Sequence, residues 1–223
     1  MTALPATVAT AASPAEPRPE DGVATGDAVP AEDAVPTGDA VPTGLVMLAR
    51  AEWPASPDDV LPAIPGFVTS SFSPLVAEVA QQCLRRYFGT APADPALGER
   101  TAVVLASATG DIGTAAAIAL AVDEGRRVPP LLFFQSNPNA VVGYLTARWG
   151  LGGPVVATIP VGDAMADAQD CASLLITDGD ADAVLIILAD QARAGDERDH
   201  GVALLVGPRS WPQATDSLSF PAR

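Results

Sequence analysis

The sequence contains no lysine, so all 12 of its basic residues are arginine. Against them stand 27 acidic residues, and the net charge is −15. A chain with that field repels phosphates. Binding of DNA or RNA through the backbone is therefore excluded as its function, and so is attachment to an anionic membrane surface. No apolar run reaches the ~20 residues that span a bilayer. The first residues, MTALPATVATAASPAEPRPED, show neither a basic segment nor a compact apolar one, so no secretory leader is expected. The two cysteines, Cys83 and Cys171, do not make a disulfide framework and suit a reducing cytoplasm. The single histidine, His200, sits beside Asp199 in a polar stretch and reads as solvated surface. No metal site is expected from so few ligands. No Gly-rich phosphate loop of standard spacing is present, and no cofactor is expected. Ser107 falls where a strand turns into a helix, but no histidine is placed to activate it.

What remains is substantial. Hydrophobic residues make up 48% of 223, enough to bury a core. They are not spread evenly. Residues 1–43 contain seven prolines and no aromatic residue, and they repeat the tetrapeptide DAVP at Asp27, Asp33 and Asp39. Seven acids against Arg18 give this stretch a net −6 and leave −9 for the rest. Such a segment cannot bury a core and reads as a disordered, acidic, Pro/Ala-rich arm, a solubilising tail or a tether.

The folded domain is expected over 44–223. Residues 44–51 (GLVMLARA) read as a strand. Ser73 as N-cap and Pro74 in the first position open a helix that runs to Phe88 and stops at Gly89. Residues 101–107 (TAVVLAS) form a buried strand, and the run after Asp111 a helix. Residues 141–149 and 164–177 are helices, and 154–160, 183–188 and 202–206 are strands. Near-continuous apolar strands alternating with helices predict an α/β fold, a mixed sheet of about five strands covered by helices. No helix separates the last two strands, so they are expected to be antiparallel.

Residues 130–154, PLLFFQSNPNAVVGYLTARWGLGGP, carry the most specific signal. Leu131, Leu132, Phe133, Ser136, Pro138, Asn139, Ala140, Gly143, Leu145, Arg148, Gly150, Leu151, Gly153 and Pro154 fall in register without a gap on a pattern of the β-ketoacyl synthases; Thr146 departs from it. Weaker agreement extends over about 44–207. The chain resembles the N-terminal half of a synthase with the thiolase fold. The resemblance implies a nucleophilic cysteine at a helix N-terminus, eight residues after the proline of the Gly-Pro pair, where the helix dipole lowers its pKa. Counting from Pro154 gives Gly162, followed by Asp163. Neither side chain can accept an acyl group in thioester exchange. Cys171 lies nine positions on, about 13 Å along a helix, too far for the same pocket; it reads as a small core residue, as does Cys83. The two histidines that the family supplies from its second half have no counterpart here.

The resemblance therefore implies a noncatalytic subunit of the chain-length-factor type, paired with a full-length ketosynthase in polyketide or polyene biosynthesis. Gly162 and Asp163 mark the vestigial position. Phe133, Phe134 and Tyr144, with Asn139, Val156, Thr158 and Met165, are candidates for the interface or tunnel wall. The helix after Gly162 is apolar on more than one side and so wants cover on more than one side. The strand over 154–160 is an expected open edge; in the family it pairs with its copy across a two-fold axis. An acyl carrier protein is normally acidic as well, so it is expected to reach this subunit only through the partner. Two other readings stay open. One is a stand-alone enzyme on carrier-bound acyl chains using Asp163, Asp167 or Asp170 as acid/base. The other is a homodimeric scaffold.

Overall fold

A computed structural model describes residues 44–193 and 198–212. The expected arm over 1–43 lies outside the described residues. Five strands form one sheet: β1 (Leu45–Trp53), β2 (Thr101–Ala106), β3 (Val155–Thr158), β4 (Ala183–Asp190) and β5 (His200–Pro208). Their order is β1-β5-β4-β2-β3. β2 is parallel to both β3 and β4, whereas β5 is antiparallel to β4 and to β1. The mixed sheet, the antiparallel last pair and the edge position of β3 all follow the expectation.

Side chains alternate across the sheet with the period of two that a pleated strand imposes. On one face Val103, Leu105, Leu185, Ile187, Ala203 and Leu205 join a core under helix α1 (Phe72–Phe88). Twelve of the 17 residues of α1 are buried, because it lies between the sheet and α5 (Pro138–Trp149), whose Val141, Val142, Leu145 and Trp149 enter the same core. On the other face Val104, Ala106, Val184, Ile186 and Leu204 meet Ala168 and Ala172 of α6 (Ala164–Thr177).

Three features differ from the expectation. Helix α1 begins at Phe72, with Ser71 in the cap position, because Leu75 N donates to Ser71 O and closes the first turn there. Ser73 is then buried inside that turn, and Pro74 occupies its third position, where the missing N–H has no partner to lose. Two short helices, α2 (Pro95–Gly98) and α4 (Pro130–Gln135), punctuate stretches that carried no assignment. Helix α3 (Ile112–Asp123) starts where expected, with Asp111 Oδ1 accepting from Thr114 N, but of its residues only Thr114 and Ala121 are buried.

The glycines of the RWGLGGP motif have structural work here. Gly150 adopts φ 68° and ends α5 by donating its N–H to Thr146 O. Gly153 passes so close to β2 that a Cβ there would lie 2.7 Å from Ala102 N and Thr101 O. This close approach seats β3 against β2.

Candidate functional site

The parallel strands define where a site can form. The connection from β2 to β3 runs through α5 on one face, and that from β3 to β4 runs through α6 on the other. The connections that leave the adjacent strands β2 and β3 thus lie on opposite faces of the sheet. A crevice at the carboxyl ends of the strands is the expected consequence of that divergence. The structure has a cleft there, about 350 Å³ in volume. Leu105, Pro138, Ala157 and Ile159 give it apolar walls. Ser107 and Thr109 from the turn after β2, Asn137 and Asn139 from the start of α5, and Thr158 from the end of β3 supply hydroxyls and amides. None of its lining side chains is charged.

The turn wall is held from behind. Asp190, the last residue of β4, accepts at Oδ1 from Ser107 Oγ at 3.0 Å, Ala108 N at 2.9 Å and Thr109 N at 3.3 Å. Ser107 Oγ in turn accepts from Gly110 N at 2.9 Å. The next residue, Gln191, is buried and ties two helix starts together. Its Oε1 accepts from Gly113 N, and its Nε2 donates to Ser70 Oγ and Ser71 Oγ.

Past β3 the chain reaches Gly162 and Asp163. Gly162 is exposed, and a Cβ there would meet nothing within 4 Å. The backbone thus leaves room for a side chain that the sequence does not supply. Asp163 caps α6, its Oδ1 accepting from Met165 N at 2.9 Å and Ala166 N at 3.0 Å. Asp167 reaches back, and its Oδ2 accepts from Val161 N at 3.0 Å and Gly162 N at 3.3 Å. Amides that could face an incoming group are instead engaged by the helix's own carboxylates. Neither cysteine substitutes. Burial pushes the Cys83 thiol up to about 12, and burial also raises Cys171, which packs against the α6-side core. His200 stands opposite Asp190 in the β4–β5 pairing, at the same end of the sheet as the cleft; its Nε2 lies 3.4 Å from Glu52 Oε1, and it is not among the residues that line the cleft. Among the described residues no group of three or more His, Cys, Asp or Glu is placed to hold a metal ion.

The expected interface and tunnel residues separate into four places. Asn139 and Thr158 come together in the cleft. Val156 and Met165 are half-buried against the α6-side core. Tyr144 packs on the α1-side core, its ring edge-on to Phe67 at 6.4 Å. Phe133 and Phe134, on α4, are 74% and 65% exposed. Val155 and Ile159 on the β3 edge, Val161 beyond it and Leu174 on the outer side of α6 are exposed as well. Only Ala168, Gln169 and Ala172 of α6 are buried, so that helix is not wrapped by its own chain. Asp190 and Asn137 escaped the sequence reading. The signal for Asp190 was a single acid ending an otherwise apolar strand.

No family model matches the sequence, and comparison with curated proteins gives no match. Solved structures do match. The complex of a ketosynthase (ApeO) with its chain length factor (ApeC) from Xenorhabdus doucetiae contains a chain that matches with a TM-score of 0.57 at 19% identity, over 74% of this chain and 79% of that one. The ishigamide ketosynthase/chain length factor matches with a TM-score of 0.56 at 18% identity, over 70% of this chain and 49% of that one. A β-ketoacyl synthase from Burkholderia phymatum STM815 matches with a TM-score of 0.55 at 15% identity, over 68% of this chain and 46% of that one. The matched region thus spans about half the length of the last two. These likenesses show the fold, which is ketosynthase-like.

Proposed function

We propose that this chain is a noncatalytic subunit of the chain-length-factor type that pairs with an active ketosynthase in polyketide or polyene biosynthesis. The observation that carries the reading is the start of α6. By the family resemblance Gly162 falls at the position of a ketosynthase's thiol, and the amides of Val161, Gly162, Met165 and Ala166 around it are taken by Asp163 and Asp167. Two of the three structures compared above are ketosynthase/chain length factor assemblies, and coverage of 74% and 79% makes one matched chain similar in length to this one.

The edge strand gives the pairing a physical basis. Val103 N donates to Pro154 O and Ser107 N to Thr158 O. The groups of β3 that face β2 therefore alternate with those of Val155, Ala157 and Ile159, which face away. A row of amides and carbonyls that no strand among the described residues pairs, flanked by exposed Val155, Ile159 and Val161, is a template for another strand. The carrier protein docks on the ketosynthase rather than on this acidic chain.

Co-expression with a full-length ketosynthase from the same pathway tests the reading. The expected outcome is a stable complex on sizing and a product length that changes when this chain is left out. A chain that stays monomeric, or that forms a two-fold dimer with itself and leaves product length unchanged, refutes it. Turnover by the purified chain that disappears in Asp163→Asn would instead support a stand-alone enzyme.

A further inference from the structure

We propose that the outer edge of β1 is closed against strand addition by Arg86, acting with a bulge at Leu48 and the Arg50–Glu52 pair, so that another chain cannot extend the sheet on that side. The closure concerns β1 alone and holds whatever partner β3 meets, so it stands apart from the pairing proposed above.

The need follows from the topology. The order β1-β5-β4-β2-β3 leaves a strand at each end, and among the described residues neither end strand is paired on its outer side. β1 has nine residues and β3 four. A long edge strand is the stronger template for another chain, and a sheet open at both edges can extend without closing. The two edges are finished differently. β3 pairs with β2 in unbroken register from Val155 to Thr158, contains no charged residue and exposes Val155.

β1 is built the opposite way. Its register against β5 shifts between Met47 and Ala49, which makes Leu48 the extra residue. Leu48 and Ala49 are consecutive, yet both pack on the α1-side core. Regular pleating would send them to opposite faces, so the strand is kinked there. Past the bulge, Ala51 and Trp53 go under α1, which leaves Arg50 and Glu52 on the other face. Arg50 Nη2 lies 2.9 Å from Glu52 Oε2, and both side chains remain half exposed. From the α1 side, Arg86 in the last turn of that helix donates through Nη1 to Arg50 O. Charge therefore stands on both faces of the same edge residue, and its carbonyl already has a donor from α1. A strand arriving there would have to displace Arg86 and take charged side chains out of water. Beyond Trp53, Pro54 has no N–H to offer. Arg198 fixes the loop that follows: its guanidinium lies 5.9 Å from the centre of the Trp53 ring and donates to Pro57 O and Asp59 O.

The test uses the full chain carrying Val155→Arg, which takes β3 out of play. Hydrogen exchange is read over residues 45–53, and sedimentation velocity is run beside it, across about a hundredfold range of protein concentration. With Arg86 intact, exchange in β1 is expected not to change with concentration. The combined variant Arg86→Met, Arg50→Thr and Glu52→Thr keeps the unbranched stem at 86 and removes all three charges. It is expected to sediment faster than the Arg86-intact chain at the same high concentration. Its β1 amides should exchange at least about fivefold more slowly there than on dilution. Arg86→Lys, which keeps a charged donor, is expected to behave as the Arg86-intact chain. If the combined variant does not fold by circular dichroism, Arg86→Met alone takes its place with the same readings. Concentration-dependent protection of β1 with Arg86 intact overturns the closure. A folded variant whose β1 exchange stays independent of concentration overturns the role of Arg86 and its neighbours, whether or not it sediments faster. Pairing with a ketosynthase is measured on the chain with Val155 in place, so either proposal can fail without the other.

Discussion

Single side chains decide what the α6 end can do. Asp163 accepts from two amides that would otherwise be unsatisfied. Asp163→Ala is expected to cost about 1 kcal/mol in chemical denaturation, the usual value of a helix cap. The thiols are chemically quiet. With Cys83 pushed up to about 12 and Cys171 also raised, the native chain should react slowly with a thiol-specific disulfide reagent at pH 8, and urea should release both groups together. Two surface carboxylates give stability a pH dependence. Asp182 is held below its ordinary 3.8 mainly by the hydrogen bond from Arg100, and Glu52 below its ordinary 4.5 mainly by that from His200. A carboxyl whose folded value is depressed contributes fully above its ordinary value and loses that contribution as pH falls through the lowered one. The urea midpoint should therefore decline as pH drops below 4.5 and then 3.8, and Asp182→Asn should remove part of that decline. Both groups are well exposed, so the effect is small.

At the scale of elements, β3 is the one to probe. Val155→Arg places a long charged side chain on the edge, where Val155 is already exposed. Thermal stability should change little, whereas complex formation with a ketosynthase on sizing should be lost. Gly153→Ala acts just before that strand, where the chain passes against β2. Its methyl would meet β2 backbone at 2.7 Å, and a loss of about 1–3 kcal/mol is expected from overpacking against atoms that cannot yield. That contact also explains how much could be read in advance. The run from Gly150 to Pro154 was recognisable because its glycines answer backbone demands, and such demands leave a residue-by-residue trace. β2, β4 and β5 were legible because both of their faces are buried, which makes them almost continuously apolar, whereas the edge strands β1 and β3 are only partly buried. Helix α6 was legible to its ends because Asp163 caps it and acids and small residues alternate along it. Helix α4 was not, since PLLFFQ is too short for a period of 3.6 to register, and two of its aromatics face outward. The cleft was not legible either. Asn139 and Thr158 are 19 residues apart in sequence and meet only because β3 lies beside β2. Asp190 carries no motif; its bonds run to residues about 80 positions earlier.

The whole molecule carries a surface with two characters. It is strongly acidic, yet it shows Phe133, Phe134, Val161 and Leu174 to solvent. On the proposed reading a ketosynthase covers some of these groups. The isolated chain should bind an apolar fluorescent dye, and the signal should fall when a ketosynthase is added in equal amount. Charge argues the complementary point. Like-charged carriers are repelled most at low ionic strength, so the chain alone should show no carrier binding there; binding as tight as that of the complex would contradict docking on the ketosynthase.

The pairing of Leu45 with Pro208 closes the sheet with its first and last strands. During synthesis, β1 must wait beside the ribosome until β5 has emerged, because no earlier strand pairs with it. The sheet of this domain is therefore complete only once β5 has been made, and any assembly that recognises the complete sheet must wait for that strand.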